Sequence, residues 1–350
     1  MRTLHTFINR LLKKRYFPVI ALLLLACLYY CAPVQAQEPD EPVEVIESNL
    51  VKLNVGVADQ QGRAILNLSR SDFVVYEDGV PQSIVNFEPT ETPFSLVLLL
   101  DMSGSTLSFR TTLKQSALRF IDALAPDDRV AVVSFNSKVK GLQDFTTDRR
   151  KIAYAISVLA EGRGTSDVYK GLQYSLAQLA KEGKRRKAIV VLTDGIDTEM
   201  RKQDGATSAN ATTDADAIAA IKPDASPSLR AVLDSADRQG VTVYPLVLPG
   251  SDPKRLMSIT PQQAAIYAAA RVRLETLAGR TGGRLHDIRR LEDLGRLYAE
   301  VAAEMRTLYS IAYQPPGARQ RDGSWRAINV EVKRAELIAR TRPGYYANAR

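Results

Sequence analysis

The run Phe94-Ser-Leu-Val-Leu-Leu-Leu-Asp-Met-Ser-Gly-Ser105 decides how this 350-residue chain is read. An almost wholly apolar stretch stops on an acid and passes into a hydroxyl-rich loop. A run that short and that apolar predicts a strand buried on both faces, the habit of a parallel sheet covered by helices. Asp101 then falls at the carboxyl end of the strand, the edge at which open α/β sheets bind ligands. Asp101, Ser103 and Ser105 arrive there together. All three offer hard oxygen donors, which select magnesium, calcium or manganese over zinc.

Two further stretches complete the pattern. Glu161-Gly-Arg-Gly-Thr-Ser-Asp-Val-Tyr-Lys-Gly171 is a glycine-punctuated loop that opens a helical pattern and sets Thr165 near a helix start. Lys187-Ala-Ile-Val-Val-Leu-Thr-Asp-Gly195 is a second buried strand, ending on Asp194. Together, Asp-x-Ser-x-Ser, a Gly-x-Gly-Thr loop and a strand ending Thr-Asp-Gly resemble the metal-ion-dependent adhesion site of von Willebrand factor type A domains. The resemblance covers about residues 93–306. It implies that Ser103, Ser105 and Thr165 hold a divalent cation, Mg²⁺ or else Mn²⁺ or Ca²⁺. It implies too that Asp101 and Asp194 support the ion largely through water, and that one open position takes an acidic group of a protein partner. The implied function is a non-catalytic binding or adhesion module.

The amino terminus has another purpose. Arg2, Arg10, Lys13, Lys14 and Arg15 precede an apolar run from 17 to about 32, and Val34-Gln-Ala36 offers small residues for cleavage, the layout of a secretory signal peptide. The expected location is therefore exported: periplasmic, secreted or at the cell surface. Both cysteines, Cys27 and Cys31, lie in this leader, so cleavage after Ala36 leaves no disulfide or thiol chemistry. A rival reading takes Leu24-Leu-Ala-Cys27 as a lipoprotein box, with a lipid anchor at Cys27 the sole membrane attachment. The formal charge of +8 comes mostly from the leader: without its five basic residues, 42 cations face 39 acids. That near balance removes the motive for a nucleic-acid partner.

The rest of the chain divides into four parts: a signal peptide at 1–36, a linker with strands at 37–92, a von Willebrand A-like domain at 93–308, and strands at 309–350. Alternating apolar residues at 50–57, and the runs 73–76 and 83–87 around Asp78-Gly79, predict strands with a hairpin. From 94 onward helices and strands alternate, which predicts an α/β fold with a doubly wound, mostly parallel, Rossmann-like sheet. Its helices are expected at 109–124, 147–159, 166–180, 229–238, 261–278 and 291–308, the fifth ending at Gly279. The segment 199–227, rich in Ala, Thr, Asp and Ser, reads as a loop that adds little to a core, either plain surface or a rim to the metal-bearing edge; 249–260 reads as a second loop on that edge. Strands at 309–314, 326–333 and 337–341 close the chain. Neither flank has enough strands to stand alone, so the two are expected to combine in one β-sandwich, Phe73, Val75 and Phe87 packing on Ile311, Ile328 and Val330. The flanking sequences Asp-Phe-x-Val-Tyr-Glu-Asp-Gly and Pro-Gly-Tyr-Tyr resemble an exported acidobacterial family of von Willebrand A-related proteins.

Other functional classes stay open on the residues alone. A strand ending in aspartate also suits a metal-dependent phosphotransferase or hydrolase with Asp101 as nucleophile. That chemistry wants a second acid two residues later, where Ser103 stands. A serine hydrolase lacks a Gly-x-Ser-x-Gly elbow around Ser103, and His286 has no triad context. In a purely structural surface protein the hydroxyls would merely cap the turn after the strand, a common use of Ser and Asp.

Overall fold

The computed structural model describes residues 50–347 apart from 62, 91, 184, 249–258, 289, 291–292 and 316–321. The leader with its two cysteines, the linker at 37–47 and most of the loop at 249–260 lie outside these residues. Residues Asn49–Arg350 cluster as one unit.

Strict alternation makes strand β1, Val51–Ala58, in which every second residue from Val51 is buried. Strands β2 (Phe73–Glu77), β3 (Val80–Gln82) and β4 (Ile84–Glu88) follow. Asp78 and Gly79 both have positive φ, 50° and 79°, as the tight turn joining β2 to β3 requires. The structure adds β3 to the predicted strands. Its Pro81 is tolerated because β3 lies at a sheet edge.

The central sheet comprises β5 (Phe94–Asp101), β6 (Arg129–Phe135), β7 (Val139–Thr146), β8 (Arg186–Thr193), β9 (Val241–Val247) and β10 (His286–Asp287). Their order is β10-β9-β8-β5-β6-β7, parallel except for the edge hairpin of β6 with β7. Every residue of β5 and of β8 is buried, as their apolar runs demand. Helices α1 (Arg110–Ala123), α2 (Arg149–Tyr154), α3 (Val168–Ala180), α4 (Thr198–Thr207), α5 (Asp214–Ala220), α6 (Pro227–Gln239), α7 (Pro261–Thr281) and α8 (Leu294–Arg306) fill the connections. On one face Leu96, Leu98 and Leu100 of β5 pack with residues of α1, α2 and α8. On the other, Val97 and Leu99 pack with α3 and α6. This is the doubly wound arrangement.

The flanks do combine. Two four-stranded sheets, ordered β13-β1-β11-β4 and β14-β12-β2-β3, each mix strands from both ends of the chain. Here β11 is Leu308–Tyr313, β12 Trp325–Val332, β13 Ile338–Arg340 and β14 Gly344–Tyr346. Leu53 pairs with Ile311 and Val75 with Val330. Phe73, Phe87 and Tyr309 form a ring cluster with centroids 5.1–5.8 Å apart.

Two expectations are corrected. Helix α7 runs past Gly279 to Thr281 and stops at Gly282, which takes the left-handed φ of 79° that ends helices. The alanine-rich insertion is helical rather than a loop. Helix α5 buries Ala217, which with Ile221 packs on Ala265 and Ala269 of α7. Alanine is the best helix former, and its small side chain lets two helices approach closely without large apolar residues.

Candidate functional site

Three loops meet where β5, β6 and β8 end. The first turns at once after β5: the Ser103 N–H donates to Asp101 Oδ1 at 2.9 Å, and a 3-10 turn, Gly104–Phe109, leads into α1. Asp101 and Ser103 are buried, whereas Ser105 is exposed. The Ser103 and Ser105 hydroxyl oxygens lie 3.1 Å apart. The pair thus spans from the buried acid to solvent.

The second loop follows a π-helical turn, Ala155–Leu159. A Cβ at Gly162 would come within 2.8 Å of the Met102 carbonyl and 2.4 Å of Asn136 Nδ2, so the approach needs glycine. Gly164, at φ 95°, turns its carbonyl to accept from the Gly104 N–H at 2.9 Å. Arg110 bridges the two loops, donating to the carbonyls of Gly162 at 2.8 Å, Met102 at 3.1 Å and Ser103 at 3.2 Å. Ser166 Oγ donates to Asp101 Oδ2 at 3.3 Å. Thr165 is exposed, and its hydroxyl has no hydrogen-bond partner among the described residues.

The third loop leaves β8. Thr193 Oγ1 donates to Asp101 Oδ2 at 2.8 Å and accepts from the Gly195 N–H at 2.9 Å. Asp194, half-buried, accepts from the Ile196 N–H at 3.0 Å, and the nearby Ser105 hydroxyl favours its ionised form. Burial, and then the charge of Asp194, push the Asp101 carboxyl up to about 6, against the hydrogen bonds from Ser103 and Thr193. Burial also raises Asp194. Burial thus makes the ionised form of both acids costly, a cost that a proton or a cation relieves.

The donor set suits a hard cation. Among the described residues no group of three or more His, Cys, Asp or Glu side chains gathers to hold a metal. What gathers here is two carboxylates with hydroxyls, the oxygen chemistry of magnesium, manganese or calcium. Of the five residues singled out from sequence, Asp101, Ser103, Ser105 and Asp194 form one connected set. Thr165 joins it only through the backbone of its loop. Sequence reading missed Thr193 and Ser166, the hydroxyls that hold Asp101 Oδ2. Each is the neighbour of a residue it did choose, and only the register of β5 with β8 shows which hydroxyl reaches the acid. Arg110 carried no signal beyond its place at the start of a helix.

Residues 96–196 match the family model described as the von Willebrand factor type A domain. With the sheet order and the loop-borne site, the chain contains a domain of that family. The voltage-dependent calcium channel subunit alpha-2/delta-2 of Homo sapiens is 32% identical over 124 residues, which are 32% of this chain and 11% of that protein. The Synechocystis protein sll0103 is 36% identical over 107 residues, 29% of this chain and 25% of that one. The chain therefore spans about a tenth to a quarter of the length of the relatives it matches. Among solved structures, a von Willebrand factor type A protein from Catenulispora acidiphila aligns over 86% of this chain and 74% of its own, at 14% identity and a TM-score of 0.45. The vWF domain of the type V pili tip protein Mfa5 from Porphyromonas gingivalis aligns over 61% and 95%, at 13% identity and a TM-score of 0.44.

Proposed function

We propose that this chain is an exported, non-catalytic interaction module that grips an acidic group of a protein partner through a divalent cation, Mg²⁺ in the first instance. The observation that carries the reading is the pair Asp101 and Asp194: two carboxylates sharing one sheet edge, each pushed up by burial and neither in an ion pair with a lysine or arginine among the described residues. Ser103, Ser105 and Thr165 would hold the ion, and the two aspartates would support it. The cation supplies a Lewis-acidic position for a partner carboxylate. The protein's own residues do the rest: Thr193, Ser166 and the Ser103 N–H fix the Asp101 carboxylate, and Arg110 joins the two loops that carry the hydroxyls.

No histidine is among these groups, and their carboxylates are assigned to the cation rather than to proton transfer. His286 lies on β10, two strands from β8, and burial followed by the charge of Arg284 lowers its pKa. Among the described residues no helix is long and apolar enough to cross a membrane. The reading places the protein outside the cytoplasm on the strength of the leader pattern.

The test is a magnesium titration followed by thermal melting, with and without chelator. A ligand at 100 times its dissociation constant stabilises a fold by about 2.7 kcal/mol, so melting should move up with magnesium and return with chelator. Asp101→Ala and Asp194→Ala should each abolish the rise. A rise that survives the double replacement puts the cation elsewhere.

A further inference from the structure

Arg110 faces two structures at once: the loops of the site, and an open cleft of about 500 Å³ lined by Arg110, Lys114, Lys140, Glu161, Gly162 and Arg163. Four cations meet one carboxylate there. They come from three parts of the fold, Arg110 and Lys114 from successive turns of α1, Lys140 from the edge strand β7, and Arg163 from the second site loop. None of the four forms an ion pair among the described residues. Lys114 donates to the Ser157 carbonyl at 2.9 Å, which leaves two of its three donors free. Arg110 spends its terminal nitrogens on carbonyls, and its Nε is buried with no partner. Lys140 and Arg163 are exposed.

Several arginines elsewhere are held by carboxylates, although Arg186, like Arg110, donates to backbone carbonyls. Arg273 is paired with Asp204, Arg280 and Arg342 with Asp237, Arg129 with Glu182, and Arg271 with Asp287. In the cleft the Arg110 cation is disfavoured by burial first and then by the charge of Arg163, with Glu161 and Asp101 pulling the other way. Converging like charges cost free energy that an anionic partner offsets on binding, and such patches also speed encounter with acidic partners.

We infer that this cleft is a second anchoring site for the same partner, taking an Asp or Glu side chain of an acidic protein segment beside the one that reaches the cation. The inference rests on the metal reading for that first acid, although the cleft's own chemistry does not need it. Arg163 stands two residues before Thr165, so their Cα atoms are within about 7.6 Å by chain geometry. Two or three residues of an extended peptide cover that distance. The partner is therefore a segment with acids closely spaced in sequence rather than one isolated carboxylate.

Two synthetic peptides test this at constant ionic strength in magnesium: one of alternating Asp and Gly, and one of Gly with a single Asp. The alternating peptide should bind the intact protein at least about tenfold more tightly. The double variant Lys140→Gln with Arg163→Gln changes two exposed side chains. It should lose that advantage while still binding Mg²⁺ and the single-Asp peptide. A control with the same loss of charge on exposed residues outside the site loops, Lys181→Gln at the end of α3 with Lys333→Gln in the sandwich, should keep it. The cleft proposal falls if the double variant keeps the advantage or the control loses it equally. It also falls if magnesium promotes single-Asp binding and the alternating peptide gains nothing, in which case the metal reading stands. Should the alternating peptide bind without any magnesium dependence, and the double variant lose it, the cleft stands and the metal reading fails.

Discussion

Ser166 and Thr198 exchange hydrogen bonds: the Ser166 N–H donates to Thr198 Oγ1 at 3.0 Å, and the Thr198 N–H donates to the Ser166 carbonyl at 2.8 Å. The first residue of α4 is thereby tied to the loop whose Ser166 hydroxyl reaches Asp101. Asp197 completes the helix start, its carboxylate accepting from the N–H groups of Glu199 and Met200 at 3.0 and 3.1 Å. The alanine-rich insertion therefore begins on the same hydrogen-bonded line as the buried acid.

Thr198→Val keeps the shape of the side chain and removes the acceptor. The part-buried Ser166 N–H is then unpaired, at a cost of about 1–3 kcal/mol. Urea unfolding measures that loss. If the line supports the site, calorimetric titration of the folded variant should also show magnesium affinity several-fold weaker. Lowered stability with unchanged affinity would assign Thr198 to the fold alone.

Asp101 should give the metal-free protein an inverted acid response. Its carboxyl sits at about 6 against 3.8 unperturbed, so between those values the native state keeps a proton that the unfolded chain has released. Stability from this group is present below the unfolded value and is lost as pH rises through about 4 to 6, on the order of 3 kcal/mol in all. His286 acts in the opposite sense. Burial lowers its pKa, so native stability falls as pH drops through its unfolded value of 6.5. The readout is thus the difference between the intact protein and Asp101→Asn in chelator. That difference should change with pH between 4 and 6, the intact protein gaining relative to the variant as pH falls. Magnesium should reverse the sign, because a cation favours the deprotonated pair. Parallel pH profiles for the two proteins in chelator would refute the assignment.

The parts legible in sequence share one property: they depend on short stretches. The runs ending on Asp101 and Asp194 could only be buried strands, and the hydroxyls that follow them announced the site. The shared sandwich was legible by arithmetic of another kind, since strands too few to fold at either end had to find each other. What escaped depended on alignment between distant segments. Thr193 holds Asp101 across the β5–β8 register, and Asp204 meets Arg273 in a buried two-pronged pair at 2.6 and 2.7 Å. The insertion escaped because its packing on α7 is mostly alanine on alanine, with Ile221 the one large apolar residue of that cluster, which leaves no apolar stripe to read.

Arg186, the first residue of β8, should be among the most costly single changes away from the site. Its guanidinium donates to the carbonyls of Thr90 at 2.7 Å, Thr92 at 2.8 Å, Leu308 at 2.5 Å and Met305 at 3.3 Å. These carbonyls belong to the two places where the chain passes between sandwich and central sheet. Arg186→Met removes every donor and leaves buried carbonyls unpaired, which should cost at least about 3 kcal/mol in urea unfolding. Arg186→Lys should recover little, because an ammonium cannot reproduce the planar fork. A loss below 1 kcal/mol in Arg186→Met, or near-complete recovery in Arg186→Lys, would show that the junction is held by packing.

Asp237 makes the sharpest case for a tail that is part of the fold. Near the end of α6 it receives Arg342 of the carboxyl-terminal segment at 2.6 Å and Arg280 of α7 at 3.1 Å, and all three are largely buried. Arg280 in turn lies over Trp325 and Tyr346, 4.6 and 5.1 Å from the ring centroids, and Arg342 lies over Tyr345 at 5.6 Å. Burial raises the Asp237 carboxyl even with both arginines pulling it down. The two ends of this arrangement are unequal. Arg342→Met leaves Asp237 with Arg280 still in place, whereas Asp237→Ala strands two buried guanidinium groups at once. Breaking a buried pair by removing one partner costs about 3–5 kcal/mol. Asp237→Ala should reach that range, and Arg342→Met should fall clearly below it. The order of the two losses in urea unfolding is the measurement. Equal losses, or a larger one for Arg342→Met, would mean that Arg280 does not share the charge of Asp237 and that the tail is held by Arg342 alone.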